Sequence, residues 1–239
     1  MPGTSVAARL QNLKARIEAA CLRSGRTPAD VHLLAVSKMQ PSCRIEEALH
    51  FGQRDFAENY VQEAMLKQEQ IAAARWHFIG RIQSNKVKLI ANRFVIIHSV
   101  DRFSVAHNLD RLNEGRPQEI FIQFNVADEA SKAGAGELEL ENLVRGVGAL
   151  TNLRMLGLMV MPPAKAAPEA TRGYFKTARE TLHRLRDALP AEVRARHPFA
   201  QLSMGTSQDF EIAIEEGAHW VRVGTDVFGP RDINEQELQ

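Results

Sequence analysis

The chain has 239 residues, 44% of them hydrophobic and 25% charged, which is typical of a globular protein with one large domain or two small ones. Thirty basic and 29 acidic residues give a formal net charge of +1, so no excess of positive charge indicates a nucleic acid or a membrane surface as a partner. The two cysteines, Cys21 and Cys43, are too few for a disulfide framework or a thiolate metal site, and no segment is apolar for long enough to span a bilayer, so we expect a cytoplasmic protein.

The first predicted element is an amphipathic helix over residues 4–24. Its apolar side chains recur at intervals of three and four residues, at Val6, Leu10, Leu13 and Ile17. Gly25 ends the helix and Pro28 prevents it from resuming. We expect its apolar stripe to pack against the chain's own domain rather than against a partner.

Eight short apolar runs follow, separated by longer amphipathic segments that predict helices. The runs are "VHLLAVS" from residue 31, "RDFAE" from 54, "WHFIG" from 76, "FVIIHS" from 94, "EIFIQFNV" from 119, "LRMLGLMV" from 153, "FAQLS" from 199 and "HWVRVG" from 219. Eight strands that each precede a helix favour a parallel sheet, and at this length a (β/α)8 TIM barrel, with a doubly wound open sheet as the alternative. No linker divides the chain, so residues 1–239 are predicted to form a single domain, in which the irregular piece 161–173 is a loop.

Lys38 stands at the end of the first predicted strand. In TIM barrels the chemistry lies at the carboxyl ends of the strands. An amine that is desolvated in an apolar barrel mouth favours its neutral form and can condense with a carbonyl. The alternative is that the side chain extends to solvent, as most lysines at strand ends do.

The segments after the last two strands predict an anion site. Ser207 lies in the small and hydroxylated turn "SMGTS" before a predicted helix, and Gly224 and Thr225 follow the eighth strand directly. Barrels frequently bind phosphate in these two loops. The alternative for the first loop is that Thr206 or Ser207 only caps the helix.

Arg222 should point into the barrel mouth, because side chains alternate along a strand and Gly224 lies two residues further on. Its partner is predicted to be either Glu58 or Asp209 in an ion pair, or a ring nitrogen of a ligand. An amine, a phosphate site and an inward arginine together match the aldehyde, phosphate and pyridine nitrogen of pyridoxal 5′-phosphate (PLP).

With these residues in place, the sequence resembles the YggS/PROSC family of pyridoxal phosphate homeostasis proteins, whose fold is similar to the N-terminal barrel domain of alanine racemase. The matching stretches are "LLAVSKMQP", "FAENYVQEA", "WHFIGRIQSNK", "HSVDR", "GLMVMPP" and "LSMGTSQDFEIAIEEGAHWVRVGTDVFG". They extend in one order from about residue 31 to about residue 230. The resemblance implies a single barrel with an extra N-terminal helix that binds PLP.

The resemblance also implies roles for individual residues. Lys38 matches the lysine that forms a Schiff base with PLP, and Arg222 matches the arginine that faces the pyridine nitrogen. Asn59 matches an asparagine near the cofactor ring, although capping of a helix that begins at Tyr60 is an alternative. The residues implied to bind the phosphate are Ser207, Gly224 and Thr225.

Three positions depart from the family pattern. Ala57 stands where glycine is usual, Ile82 replaces a leucine, and Thr206 replaces a methionine. Ala57 requires room for one methyl group, and the Thr206 hydroxyl could lie near the phosphate. None of these changes removes a predicted role.

Two functions fit these residues: a protein that holds PLP for vitamin B6 homeostasis, and an amino-acid racemase. Arg222 cannot readily protonate the pyridine nitrogen, so the ring would be a weak electron sink. The candidate bases for racemisation are poor ones, since Tyr60 and Tyr174 are not at clear strand ends and His77 lies within an apolar strand. We therefore expect a cytoplasmic, monomeric PLP carrier without turnover, with apo PLP-dependent enzymes as recipients.

A Schiff-base aldolase acting on a phosphorylated sugar is a third interpretation. It shares the lysine and the phosphate site with the PLP proteins. It requires neither Arg222 nor the full set of motifs.

Overall fold

Eight parallel strands close into a barrel in the computed structural model, which describes residues 5–113, 115–129, 133–163 and 165–230. The strands are β1 (His32–Val36), β2 (Asp55–Glu58), β3 (Arg75–Phe78), β4 (Ile96–Val100), β5 (Gln118–Phe124), β6 (Leu153–Val160), β7 (Gln201–Ser203) and β8 (Trp220–Val223). Each strand lies beside its neighbours in sequence, and β8 pairs with β1 to complete the closure. The predicted (β/α)8 TIM barrel is therefore confirmed.

Helices connect the strands around the outside of the barrel. They are α1 (Val6–Arg23), α2 (Ser42–His50), α3 (Val61–Gln70), α4 (Val87–Ile90), α5 (Phe103–Leu112), α6 (Glu137–Gly148), α7 (Thr171–Ala188), α8 (Ala191–Arg196), α9 (Phe210–Glu215) and α10 (Thr225–Phe228). Short 3₁₀ helices occupy Pro28–Asp30, Ser84–Lys86 and Pro168–Ala170. None of the helices in the described ranges combines the length and the apolar character that crossing a bilayer requires.

The predicted strand ends agree with the structure to within two residues. The predicted loop 161–173 is wrong at its end, because the 3₁₀ helix from Pro168 leads directly into α7 at Thr171. Proline presets the backbone angle for that turn, and the Thr171 hydroxyl donates to the Pro168 carbonyl at 2.6 Å. A single domain over all of residues 1–239 stays a prediction, since residues 231–239 lie outside the described ranges.

The strand side chains form two separate cores. Those that face the barrel axis make an inner core whose buried apolar members are Leu34, Ala57, Ile96, Phe121, Leu156, Met159 and Trp220. Those that face outward pack against the helices, and the stripe of α1 joins this outer core, as predicted. Alternation along β1 places its last residue, Val36, on the same inward face as Leu34, and Lys38 follows two residues later.

Helix α1 also fixes the helices that follow the last two strands. Its Arg16 donates to Glu211 on α9 at 3.0 Å and to Asp226 on α10 at 2.7 Å. The guanidinium carbon lies 4.6 Å from the centre of the Phe210 ring. The extra N-terminal helix thus stabilises the region beyond β7 and β8, where the predicted anion site lies.

Gly157 on β6 marks the tightest backbone approach in the sheet. A Cβ atom at this position would lie 1.7 Å from the carbonyl oxygen of Gln201 on β7. Since that contact involves backbone on both sides, no side-chain rotation can relieve it. Gly173 on α7 is the opposite case, because no described residue outside its own stretch of helix has an atom within 4 Å of its Cβ position.

We predict that Gly157→Ala lowers the free energy of unfolding by about 3 kcal/mol, because β6 and β7 must separate to admit the methyl group. The control Gly173→Ala should be neutral or stabilising by up to about 1 kcal/mol, since alanine is the better helix former. Urea unfolding followed by circular dichroism measures both. Equal stability of the two variants would contradict the tight approach.

Candidate functional site

A cavity of about 380 Å³ lies at the carboxyl ends of the strands, and we call it the mouth cavity. It is lined by all six residues predicted from the sequence: Lys38, Asn59, Ser207, Arg222, Gly224 and Thr225. Its apolar walls come from Val36, Ile79, Met159, Met161 and neighbouring prolines. A larger cavity, of about 590 Å³, opens at the amino ends of β4 to β6 and contains none of these six residues.

Lys38 leaves β1 in a tightly turned segment. The Gln40 N–H donates to the Ser37 carbonyl at 3.0 Å, and Met39 has a φ of 59°, a left-handed conformation that is uncommon for a residue other than glycine. Lys38 itself is half-buried and lines the mouth cavity beside Val36. The turn therefore delivers the amine to the barrel mouth, while Met39 is exposed at the rim.

The turn after β7 is organised by Asp209. Its carboxylate accepts from the Thr206 N–H at 2.7 Å and from the Thr206 hydroxyl at 2.9 Å. Helix α9 begins at Phe210, so the alternative that Thr206 or Ser207 caps this helix is wrong. The Thr206 hydroxyl serves the turn, and the Ser207 N–H has no acceptor among the described residues.

Two glycines bring these turns close to their neighbours. At Gly205, with a φ of 93°, a Cβ atom would lie 2.6 Å from the Ala213 Cβ on α9. At Gly224 it would lie 3.3 Å from the Val36 carbonyl oxygen at the end of β1. Gly205 thus lets the turn pack against α9, and Gly224 lines the mouth cavity without a side chain, as a site for a phosphate group requires.

Arg222 is buried beneath the mouth cavity, and its hydrogen-bond partners among the described residues are neutral acceptors. Its guanidinium donates to the Ser203 hydroxyl at 3.0 Å and to the Val160 carbonyl at 2.9 Å. Burial lowers the pKa of Arg222 to about 10, and the charge of Asp209 opposes this shift. The predicted ion pair with Glu58 is wrong, because Glu58 faces away from the barrel axis and pairs with Lys67.

A chain of hydrogen bonds continues from Arg222 through the barrel interior. Ser203 Oγ lies 2.9 Å from His98 Nδ1, His98 Nε2 lies 3.1 Å from His77 Nδ1, and His77 Nε2 lies 3.0 Å from Asp55 Oδ1. An arginine guanidinium only donates hydrogen bonds, and a carboxylate only accepts them. All the hydrogen bonds of the series form when each group donates to the next one on the way from Arg222 to Asp55. This arrangement needs both histidines neutral, and burial lowers the pKa of each of them.

These interior partners of Arg222 were not predicted. His77, which the sequence places within an apolar strand, is a hydrogen-bonded core residue, and Asp55, His98 and Ser203 were not expected to join it to Arg222. A polar residue inside an apolar strand is the signal that could have found His98, since alternation puts it on the same inward face as Ile96. Nothing in the sequence shows that these strands place the side chains within hydrogen-bond distance of one another.

Asn59 presents an unsatisfied acceptor. Its Oδ1 atom is buried and has no hydrogen-bond partner among the described residues. Helix α3 begins at Val61 with Tyr60 in the cap position, so the alternative that Asn59 caps a helix beginning at Tyr60 is wrong. A ligand that donates a hydrogen bond here would satisfy the atom.

The mouth cavity therefore brings the Lys38 side chain together with the guanidinium of Arg222 and the turns after β7 and β8. Among the described residues that line it, the titratable side chains are Lys38, Asp209 and Arg222. No histidine or tyrosine belongs to this set. Tyr60 is 57% exposed at the rim, and His77 is enclosed within the barrel.

Comparison of the sequence with known proteins identifies related chains of the same length. The model of the family described as alanine racemase, N-terminal domain, matches residues 8–232. A pyridoxal phosphate homeostasis protein of Pseudomonas aeruginosa is 44% identical over 236 residues, which cover 96% of this chain and 97% of the relative. The protein of the same name from Escherichia coli K12 is 41% identical over 243 residues, covering 97% of this chain and 99% of the relative.

Solved structures show the same barrel. PipY of Synechococcus elongatus, determined with PLP bound, superposes with a TM-score of 0.82 at 34% identity and covers 94% of this chain and 100% of PipY. Alanine racemase of Corynebacterium glutamicum superposes with a TM-score of 0.70 at 14% identity. It covers 92% of this chain and 62% of the racemase, a likeness of fold alone.

The buried histidines predict how stability depends on pH. Burial holds the pKa of His98 well below its ordinary value of 6.5, so the unfolded chain binds more protons below that pH and stability falls as the pH falls. We expect His98→Gln to be less stable than the wild type near neutral pH but to lose less stability between about pH 6.5 and pH 5.

Urea midpoints measured across that range give the two slopes. His183→Gln, which changes an exposed histidine on α7, is the matched control and should keep the wild-type slope. A His98→Gln slope equal to that of the wild type would contradict the assignment.

Proposed function

This chain belongs to the family of pyridoxal phosphate homeostasis proteins, which carry the alanine racemase N-terminal domain, and from that premise we propose that it holds PLP in the mouth cavity as a Schiff base with Lys38. The observation that carries the proposal is the meeting of Lys38, Arg222 and the two turns after β7 and β8 in one cavity. Its volume lies in the range typical of cofactor sites. The PLP-bound relative PipY supports the choice of ligand.

The residues of the mouth cavity fit PLP in three respects. The orphaned Asn59 Oδ1 can accept from the ring hydroxyl of the cofactor. Gly224 lines the cavity without a side chain, so its backbone can come close to a phosphate group. Arg222, whose pKa of about 10 keeps it protonated at neutral pH, offers a donor to the pyridine nitrogen.

Each residue then has a defined task. PLP supplies an aldehyde, with which an amine condenses to a C=N bond with loss of one water molecule. Lys38 provides that amine. Ser207 and Thr225 donate from their hydroxyl and amide groups to the phosphate, and Gly224 lets the backbone approach it. Arg222 donates a hydrogen bond to the ring nitrogen, and Ser203 and the Val160 carbonyl hold its orientation.

We propose homeostasis rather than turnover. Arg222 binds the ring nitrogen without protonating it, which leaves the ring a weak electron sink. The described lining of the mouth cavity contains no tyrosine or histidine to move a proton at the α-carbon of an amino acid. The protein would act in the cytoplasm as a monomer and release PLP to apo-enzymes, and an amino-acid racemase is the alternative.

The covalent linkage predicts a visible absorbance band when PLP is added to the purified protein, and the loss of this band in Lys38→Ala. Borohydride reduction should fix the cofactor on Lys38, as located by peptide mass spectrometry. Lys176→Met, which changes an exposed lysine on α7, is the control and should yield the same Lys38 adduct. A label chiefly on Lys67 would refute the site.

A carrier and a racemase differ in what the loaded protein does. We expect L-alanine or D-alanine to exchange the α-proton with solvent deuterium no faster than with free PLP. We also expect the loaded protein to activate an apo-enzyme that requires PLP, as followed by the activity of the recipient. Rapid deuterium incorporation that disappears in Lys38→Ala would favour the racemase, and failure to activate any recipient would reject the carrier.

A further inference from the structure

Lys67 on α3 is a buried lysine outside the mouth cavity. Its side chain is 8% exposed, and its ammonium donates to the Ser37 carbonyl at 2.7 Å, to Glu58 at 2.8 Å and to Glu63 at 2.6 Å. An ammonium has three N–H donors, so all of them are used. Such full satisfaction is what makes burial of a lysine tolerable.

These contacts bracket Lys38 on both sides. Before it, Ser37 donates its hydroxyl to Glu58 Oε1 at 2.7 Å, and its carbonyl accepts from Lys67. After it, the Met39 N–H donates to Glu63 Oε1 at 2.6 Å. The two peptide units that flank Lys38 are thus anchored to one buried cluster, which consists of Glu58, Glu63 and Lys67.

The cluster lies on the outer side of the barrel wall, between β2 and α3. The two flanking peptide units are held on that side, while Lys38 itself lines the mouth cavity on the other side of the wall. The left-handed backbone of Met39, with a φ of 59°, costs roughly 1–3 kcal/mol and persists only where surrounding contacts impose it. The Ser37–Gln40 hydrogen bond closes this turn, and the hydrogen bond from Met39 to Glu63 stabilises it further.

We propose that Lys67, with Glu58 and Glu63, positions Lys38: the cluster fixes the end of β1 so that the Lys38 amine is held ready to condense with the cofactor aldehyde. This inference rests on the proposed role of Lys38. The competing explanation is that the cluster only attaches α3 to the barrel. The Met39–Glu63 hydrogen bond separates the two, because attaching α3 to β2 does not require it.

Lys67→Met is a suitable variant because protonation of Glu58 can compensate for the loss of the ammonium group. Burial raises the pKa of Glu58 to about 7, and Lys67 opposes the rise. The charged groups facing Glu58 are Lys67 and Glu63, both on α3. Without Lys67 the buried carboxyl group takes up a proton near neutral pH, so the variant does not keep an uncompensated pair of buried charges.

The first readout needs no cofactor. Hydrogen exchange of the Met39 amide should be about tenfold or more faster in Glu63→Ala and in Lys67→Met, because the amide loses its acceptor or the anchor of that acceptor. Glu63→Gln retains an acceptor oxygen and should restore most of the protection. Lys176→Met, which breaks an exposed pair with Glu180 on α7, is the control and should leave Met39 unchanged.

The second readout uses PLP. The rate at which the absorbance band of the Lys38 adduct appears should fall about tenfold in Glu63→Ala and Lys67→Met, since a misplaced nucleophile reacts slowly. Thermal unfolding confirms that each variant is folded at the temperature of the assay. If Lys67→Met fails to fold, Glu63→Ala, which changes a partly exposed residue, carries the test.

The outcomes separate this inference from the proposed function. Wild-type protein that forms no adduct refutes the proposed function, while the exchange at Met39 still tests whether the cluster anchors the segment. Adduct formation at the wild-type rate in both variants refutes the positioning role and leaves the proposed function intact. Unchanged exchange at Met39 in Glu63→Ala refutes the anchoring itself.

Discussion

Closure of the barrel by β8 against β1 is the constraint on which the site depends. The register pairs Leu34 with Arg222 and Ala35 with Val223, so the beginning and the end of the chain lie side by side at the barrel mouth. Lys38 comes from one side of this seam and Gly224 from the other. A parallel barrel allows this because all of its strands end at the same rim.

The seam is reinforced from both sides of the wall. On the outside, Arg16 of α1 joins α9 and α10, the two short helices that follow β7 and β8. On the inside, Trp220 packs 4.5 Å from the His32 ring and 5.0 Å from the His77 ring, measured between ring centres. Apolar packing holds the strands in fixed positions. It therefore also fixes the points from which the turns extend to the mouth cavity.

The fold could be predicted from the sequence because it follows from local patterns, and so could the meeting of Lys38, Arg222 and the two last turns at one cavity, whereas Asn59 was implied only by the family resemblance. Alternation along the strands gave the inward direction of Arg222, and glycine with hydroxylated residues after β7 and β8 indicated a place for an anion. Partners could not be predicted in the same way. Whether Arg222 bonds to Ser203 or to Asp209 depends on the separation of side chains from different strands, to within a few tenths of an ångström.

The hydrogen-bond and ion-pair partners of Lys67 could not be predicted from the sequence either. In the sequence it is one lysine on an amphipathic helix, and its neighbour Glu63 reads as an ordinary surface pair at a spacing of four residues. Burial of this pair follows only when α3 packs over β2, where Glu58 adds the second carboxylate. Sequence patterns show which face of a helix or strand is buried. They do not show that Glu58 joins Lys67 and Glu63, because that depends on how α3 packs against β2.

Two cationic side chains are buried within the part of the chain that the structure describes, and their charges are compensated in different ways. Lys67 forms ion pairs with two carboxylates, which neutralise its charge within the barrel wall. Arg222 contacts a hydroxyl and a carbonyl, so its positive charge is offset only at a distance by Asp209, whose carboxylate is engaged with Thr206. Because a buried charge with neutral partners keeps most of its field, the floor of the mouth cavity stays electropositive. That field favours a ligand that carries negative charge and has an acceptor atom within reach of Arg222. PLP has the charge in its phosphate and the acceptor in its ring nitrogen.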